Sequence, residues 1–120
     1  MKYILACLLF IFSQTVLAAD KFGNAAIWGA GQKSCFSYTT ARKNGEENYY
    51  KDYLMGYLTA YNAQTPDTYR ISGSENLDGI LSWLDSYCTE KQVHGFDQAV
   101  VEFITEHYPK RQKSAPATGL

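Results

Sequence analysis

The sequence predicts an all-α protein: a small bundle of about four helices with one disulfide, preceded by a signal peptide and an irregular N-terminal arm. Three observations predict it. Apolar residues recur at helical spacing in successive segments, and beyond the arm no segment alternates as a strand would. The chain opens as an export signal does. Beyond that signal two cysteines remain, Cys35 and Cys88, and an even pair in an exported protein reads as a disulfide.

The first segment, 1–18, carries Lys2, an apolar run "ILACLLFIF" and the small-residue exit "SQTVLAAD". Cleavage is expected after Ala18, with Ala19 as the alternative, and Cys7 leaves with the signal. The apolar run is shorter than the roughly 20 residues that span a bilayer, so no stable membrane anchor is expected after cleavage. The expected location is periplasmic or secreted. A bridge from Cys35 to Cys88 closes a long loop, worth roughly 4 kcal/mol in the chain-entropy model. A domain of this size has only about 5–15 kcal/mol in total.

Residues 19–33 have no sustained period and read as an irregular arm, pinned to the body by Ile27 and Trp28. The helical domain spans 34–108. Its first helix starts after Ser34, an N-cap residue, and runs to about Lys43, with Cys35, Tyr38, Thr39 and Arg42 on one face. The second is capped by Asn44, with Glu47 three residues on. Tyr50, Tyr53, Leu54, Tyr57, Leu58 and Tyr61 form its inner stripe. Tyr53, Leu54 and Tyr57 are therefore expected to pack in the core. Tyr49 lies on the flank, beside Gly56 and Ala60, where a neighbouring element is expected to approach closely.

The segment "NAQTPDTYRISGS" breaks the period, with Pro66-Asp67 as a type I turn and Tyr69 and Ile71 as anchors. The third helix is capped by Ser72 with Glu75, or by Ser74, and buries Leu77, Ile80, Leu81, Leu84 and Cys88. Trp83 and Tyr87 flank that face. The fourth runs from Phe96 to about Tyr108, buries Phe96, Ala99, Val100, Phe103, Ile104 and His107, and is stopped by Pro109. Residues 109–120, with Lys110, Arg111 and Lys113 and no acid, read as a disordered basic tail.

No reaction is written in these residues. Residues 19–120 hold ten Lys/Arg and twelve Asp/Glu, and no basic stripe calls for nucleic acid. His94 and His107 are thirteen positions apart, outside any zinc-ligand spacing. Glu75, Asp78 and Asp85 are read as a solvated face. With both cysteines bridged there is no thiolate nucleophile. No catalytic residue, metal site or cofactor is expected.

The stretches "SCFSYTTAR", "YLMGYLTAYN" and "LDGILSWLDSYCTE", followed by an amphipathic helix, resemble a group of small secreted bacterial helical proteins. More distantly the layout resembles the HdeA family of periplasmic acid-stress chaperones, above all in "YCTEKQVHGFDQAVVEF", and the Tai-type immunity proteins of type VI secretion. The HdeA resemblance implies a non-enzymatic periplasmic protein that holds unfolded clients in acid. The Tai-type resemblance implies an inhibitor that binds and blocks a cell-wall-directed effector. Either implies a protein client or partner, and a homodimer is compatible with both. Tyr49 and Tyr69 are the candidate contact residues, lining a groove at the surface.

Overall fold

The computed structural model describes residues 19–117, so the expected signal segment lies outside the described residues. Four helices follow one another: α1 (Cys35–Lys43), α2 (Asn48–Gln64), α3 (Leu77–Glu90) and α4 (Phe96–His107). Short 3-10 turns precede and follow them, at Gly29–Gln32 and Tyr108–Lys110. Among the described residues strand pairing is confined to two isolated bridges, Ser34 with Gly95 and Arg70 with Gln112.

Ser34 caps α1, its hydroxyl accepting from the Ser37 amide. The same end of α1 is laced to the loop before α4. The Cys35 amide donates to the His94 carbonyl at 2.8 Å, the Phe36 amide to Gln92 and the Phe96 amide to Lys33. Cys35 and Cys88 are bonded with Cα atoms 4.7 Å apart, so α1 and α3 are stapled where the backbones are already tied. Both cysteines are fully buried.

Phe96 sits at the centre of the core. Tyr38 stacks on it at 4.8 Å between ring centroids, and Tyr50 meets it edge-on at 5.1 Å. Leu54, Leu81, Leu84, Val100 and Phe103 are fully enclosed around it. The inner stripe of α2 divides in two: Tyr50, Leu54 and Leu58 are buried, while Tyr53, Tyr57 and Tyr61 are half-buried along its edge.

Several details depart from the sequence reading. Asn44 does not cap α2, because it is the C-cap of α1. Gly45 (φ +69°) turns the chain, its amide donating to Arg42 and the Glu46 amide to Ala41, a Schellman closure. The first residue free to start α2 is then Asn48. Likewise α3 is capped by Asn76, whose side chain accepts from the Gly79 amide at 2.9 Å, and not by Ser72 or Ser74. Asp67 has φ +51°, which a type I turn does not allow. Ile71 anchors that loop, fully buried with its amide on Asn62 Oδ1, whereas Tyr69 is exposed.

The arm is held by its smallest residues. Trp28 is 78% exposed, while Ala30 and Gly31 are buried against α2 and α4. A side chain at Gly31 would collide with the Tyr53 hydroxyl and ring, so the close approach is at Gly31; Gly56 faces open space. Residues 109–112 are ordered. Gln112 exchanges backbone hydrogen bonds with Arg70, and Arg111 Nε donates to the Asp67 carbonyl and Thr68 Oγ1. With Tyr108 they form a strap, residues 108–112, over the loop that precedes α3.

Candidate functional site

The helical face that carries Cys35 and Tyr38 also carries Arg42, and Asp85 stands one turn before Cys88 on α3. The staple therefore brings the arginine and the carboxylate together. Asp85 Oδ1 accepts from the Tyr38 hydroxyl at 2.8 Å and from Arg42 Nε at 2.9 Å. Its Oδ2 accepts from Arg42 Nη2 at 2.8 Å, completing a two-point grip on the guanidinium. Arg42 Nη1 also pairs with Glu47 Oε1 at 3.3 Å, and Lys51 approaches the same oxygen at 3.8 Å. One carboxylate from α3 and one from the start of α2 thus hold a cation of α1.

Burial pushes the Tyr38 phenol far above its ordinary range, and its hydrogen bond to Asp85 pushes the same way. Arg42 is also raised, first by its hydrogen bonds to Asp85. Both shifts favour the protonated forms of Tyr38 and Arg42, and the hydrogen bonds tie α1 to α3 as a joint. Beside it lies a cleft of about 400 Å³ lined by Thr39, Arg42, Lys43, Asp85 and Thr89. Asp85 is thus not part of a merely solvated face. Arg42 on the same face of α1 as Cys35 and Tyr38 was the sequence signal for an acidic partner on a neighbouring helix; which acid answers it depends on how α1 and α3 pack.

The candidate contact residues do not share a groove. Tyr49 is 52% exposed in the first turn of α2, next to Gly29 of the arm. Tyr69 is 39% exposed in the loop beyond the other end of α2, with Arg70 over its ring. A helix as long as α2 extends about 25 Å. Between them runs the half-buried edge: Tyr53 and Tyr57 lie 5.9 Å apart, and Tyr57, Ala60, Tyr61 and Gln64 line an open apolar cleft of about 250 Å³. Burial raises the Tyr53 and Tyr57 phenols above their ordinary range, with Asp97 adding to both.

The histidines are built into aromatic contacts. His94 Nδ1 lies 2.8 Å from the Tyr87 hydroxyl, and Tyr87 stacks on Trp83. His107 is only 4% exposed and stacks on Phe103. Among the described residues no group of three His, Cys, Asp or Glu is placed to hold a metal ion, and no helix is long and apolar enough to cross a membrane. Comparison with protein-family models, curated proteins and solved structures finds no match for the chain.

Proposed function

We propose that the protein is a non-enzymatic periplasmic or secreted binding protein, of the acid-stress chaperone kind its sequence resembles. The observation that carries this reading is the dependence of the α1–α2–α3 joint on carboxylates. Among the described residues, Asp85 and Glu47 are the anionic partners of Arg42. Acid strong enough to neutralise paired carboxylates removes that anionic grip. If all acids of residues 19–120 were neutralised, ten Lys/Arg and two His would set the formal charge at +12. Self-repulsion then favours an opened body. The half-buried tyrosine edge and the core beneath it are the apolar surface that opening offers to an unfolded client, and the disulfide limits how far α1 leaves α3.

The test is tertiary structure, hydrophobic-dye binding and suppression of client aggregation, followed together from pH 7 to pH 2. Loosening with dye binding and client protection is expected between about pH 4 and pH 2. Asp85→Asn moves that loosening to higher pH. A body that stays rigid and binds no dye at pH 2 overturns the reading. One feature favours the inhibitor reading instead: Trp28 stands exposed on an anchored arm, as a preformed anchor for a folded partner would. Rigidity in acid, with neutral-pH capture of a cell-wall hydrolase that is lost in Trp28→Ala, would establish it.

A further inference from the structure

The 3-10 turn of the arm, Gly29–Gln32, is wedged between α2 and α4, and α2 makes its most extensive backbone approach to this turn and not to another helix. Ala30 and Gly31 are buried there. A side-chain carbon at Gly31 would collide with the Tyr53 hydroxyl and ring and fall 2.8 Å from Ile27 Cγ2. One at Gly29 would stand 3.7 Å from the Tyr49 hydroxyl. Beneath the turn, Tyr53 reaches Phe96 at the centre of the core, with ring centroids 6.0 Å apart. Past the turn the tyrosine edge continues uncovered. Tyr57 follows Tyr53 at 5.9 Å, and Tyr57, Ala60, Tyr61 and Gln64 line the open apolar cleft.

The arm is seated by packing. Among the described residues, the arm before Lys33 makes its hydrogen bonds within itself. The Phe22 and Asn24 amides donate to Asp20 Oδ1, the Gly23 amide to the Asp20 carbonyl, and Gln32 Nε2 to the Ile27 carbonyl. The first bond to the helical body is accepted by the Lys33 carbonyl, from the Phe96 amide at 2.8 Å. The two aromatic side chains of the arm stay outside, Phe22 76% and Trp28 78% exposed. Burying Trp28 would bring the large apolar area that seats a segment firmly; Ala30 and Gly31 bury little. A segment with few buried apolar contacts and no hydrogen bond to the body opens at a lower free energy than the body unfolds.

We infer that the arm is a displaceable plug: Gly29–Gln32 occupies a peptide groove between α2 and α4, and a partner segment with a small residue pair, like Ala30 and Gly31, takes its place. The present occupant defines what the groove accepts. The chain is extended on either side of the turn, at Trp28 (φ −118°, ψ 157°) and Lys33 (φ −79°, ψ 157°), and opposite Tyr53 there is room only for glycine. The open cleft at Tyr57 is where an incoming chain lands beside the plug, and Lys33 is the hinge about which the arm leaves. A plug on a short flexible tether competes at an effective concentration on the order of millimolar, so a partner binds weakly until the arm is displaced. The plug rests on the reading of the protein as a binder of other chains, but not on acid, since nothing in it titrates.

The probe is a fluorescent synthetic peptide of residues 26–33, added to the disulfide-bonded protein at neutral pH. Gly31→Leu in the protein dislodges its own turn from Tyr53. Peptide anisotropy is expected to show binding to Gly31→Leu roughly tenfold tighter than to the parent, because the tethered competitor is gone. A peptide carrying the same Gly31→Leu change is expected to bind neither protein. Equal binding to parent and variant, no binding to either, or binding indifferent to the change in the peptide overturns the plug. Should Gly31→Leu fail to fold, the parent decides. In sub-denaturing urea, nitration of Tyr53, mapped by mass spectrometry, runs ahead of the loss of amide protection at Phe103 in α4 if the arm leaves first. Nitration that waits for α4 to unfold overturns the plug. Loosening in acid is read from the pH series and not from these measurements, so the two readings fail separately.

Discussion

A side chain at Gly56 would meet open space, whereas one at Gly31 would strike Tyr53 and Ile27. The helical wheel marks Gly56 as small and on a flank, and that much is legible in the residues. Which small residue receives a neighbour is not, because the neighbour is an arm without periodicity. Gly56→Ala is expected to stabilise the protein by about 1 kcal/mol, the difference in helix propensity. Gly31→Ala is expected to cost about 1–3 kcal/mol through overpacking. Thermal unfolding of the two variants checks both signs; a stabilised Gly31→Ala would mean that the arm is not seated on α2. The Tyr38–Asp85–Arg42 joint shows the same limit. The sequence places Arg42 on the same face of α1 as Cys35 and Tyr38, but local pattern cannot select Asp85 from among the acids of α3.

At the scale of elements, the apolar faces of α1, α3 and α4 are readable residue by residue, since 3.6-residue spacing survives into packing. The caps of α2 and α3 are less readable, because several polar cap residues compete near each of those starts. Asn44 is spent on ending α1, which a search for N-caps does not consider. Before α3, three cap residues stand within five positions, and the buried loop at Ile71–Gly73 fixes Ser72 too early to serve. Asn76→Ala should therefore lower stability by about 1 kcal/mol, while Ser74→Ala, on an exposed residue, should stay within about 0.5 kcal/mol. Urea midpoints would show the contrast; the reverse order would move the helix start back to Ser74. The tail reads as disordered from composition alone, yet 108–112 are tied down by the backbone of Arg70, a long-range pairing that no local pattern announces.

For the whole molecule, the number and burial of the tyrosines dictate how stability depends on pH in alkali. Burial raises the phenols of Tyr38, Tyr50, Tyr53, Tyr57 and Tyr87, chiefly by desolvation of the anion. Asp85 adds to this at Tyr38, and Asp97 at Tyr53 and Tyr57. In the unfolded chain these phenols ionise near their ordinary value of about 10. Between that value and the higher folded-state values the native protein binds more protons than the unfolded one. Stability is accordingly full below about pH 10 and falls as pH rises above it. Urea midpoints should decline from pH 9 to pH 11, and tyrosinate absorbance at pH 11 should rise again when urea unfolds the chain. Tyr38→Phe should make the decline shallower, since it removes the phenol held most firmly in its neutral form. Tyrosinate absorbance that is complete at pH 11 before urea is added would mean that the tyrosine edge is open to water, and the surface proposed to open for clients in acid would then be exposed already at neutrality.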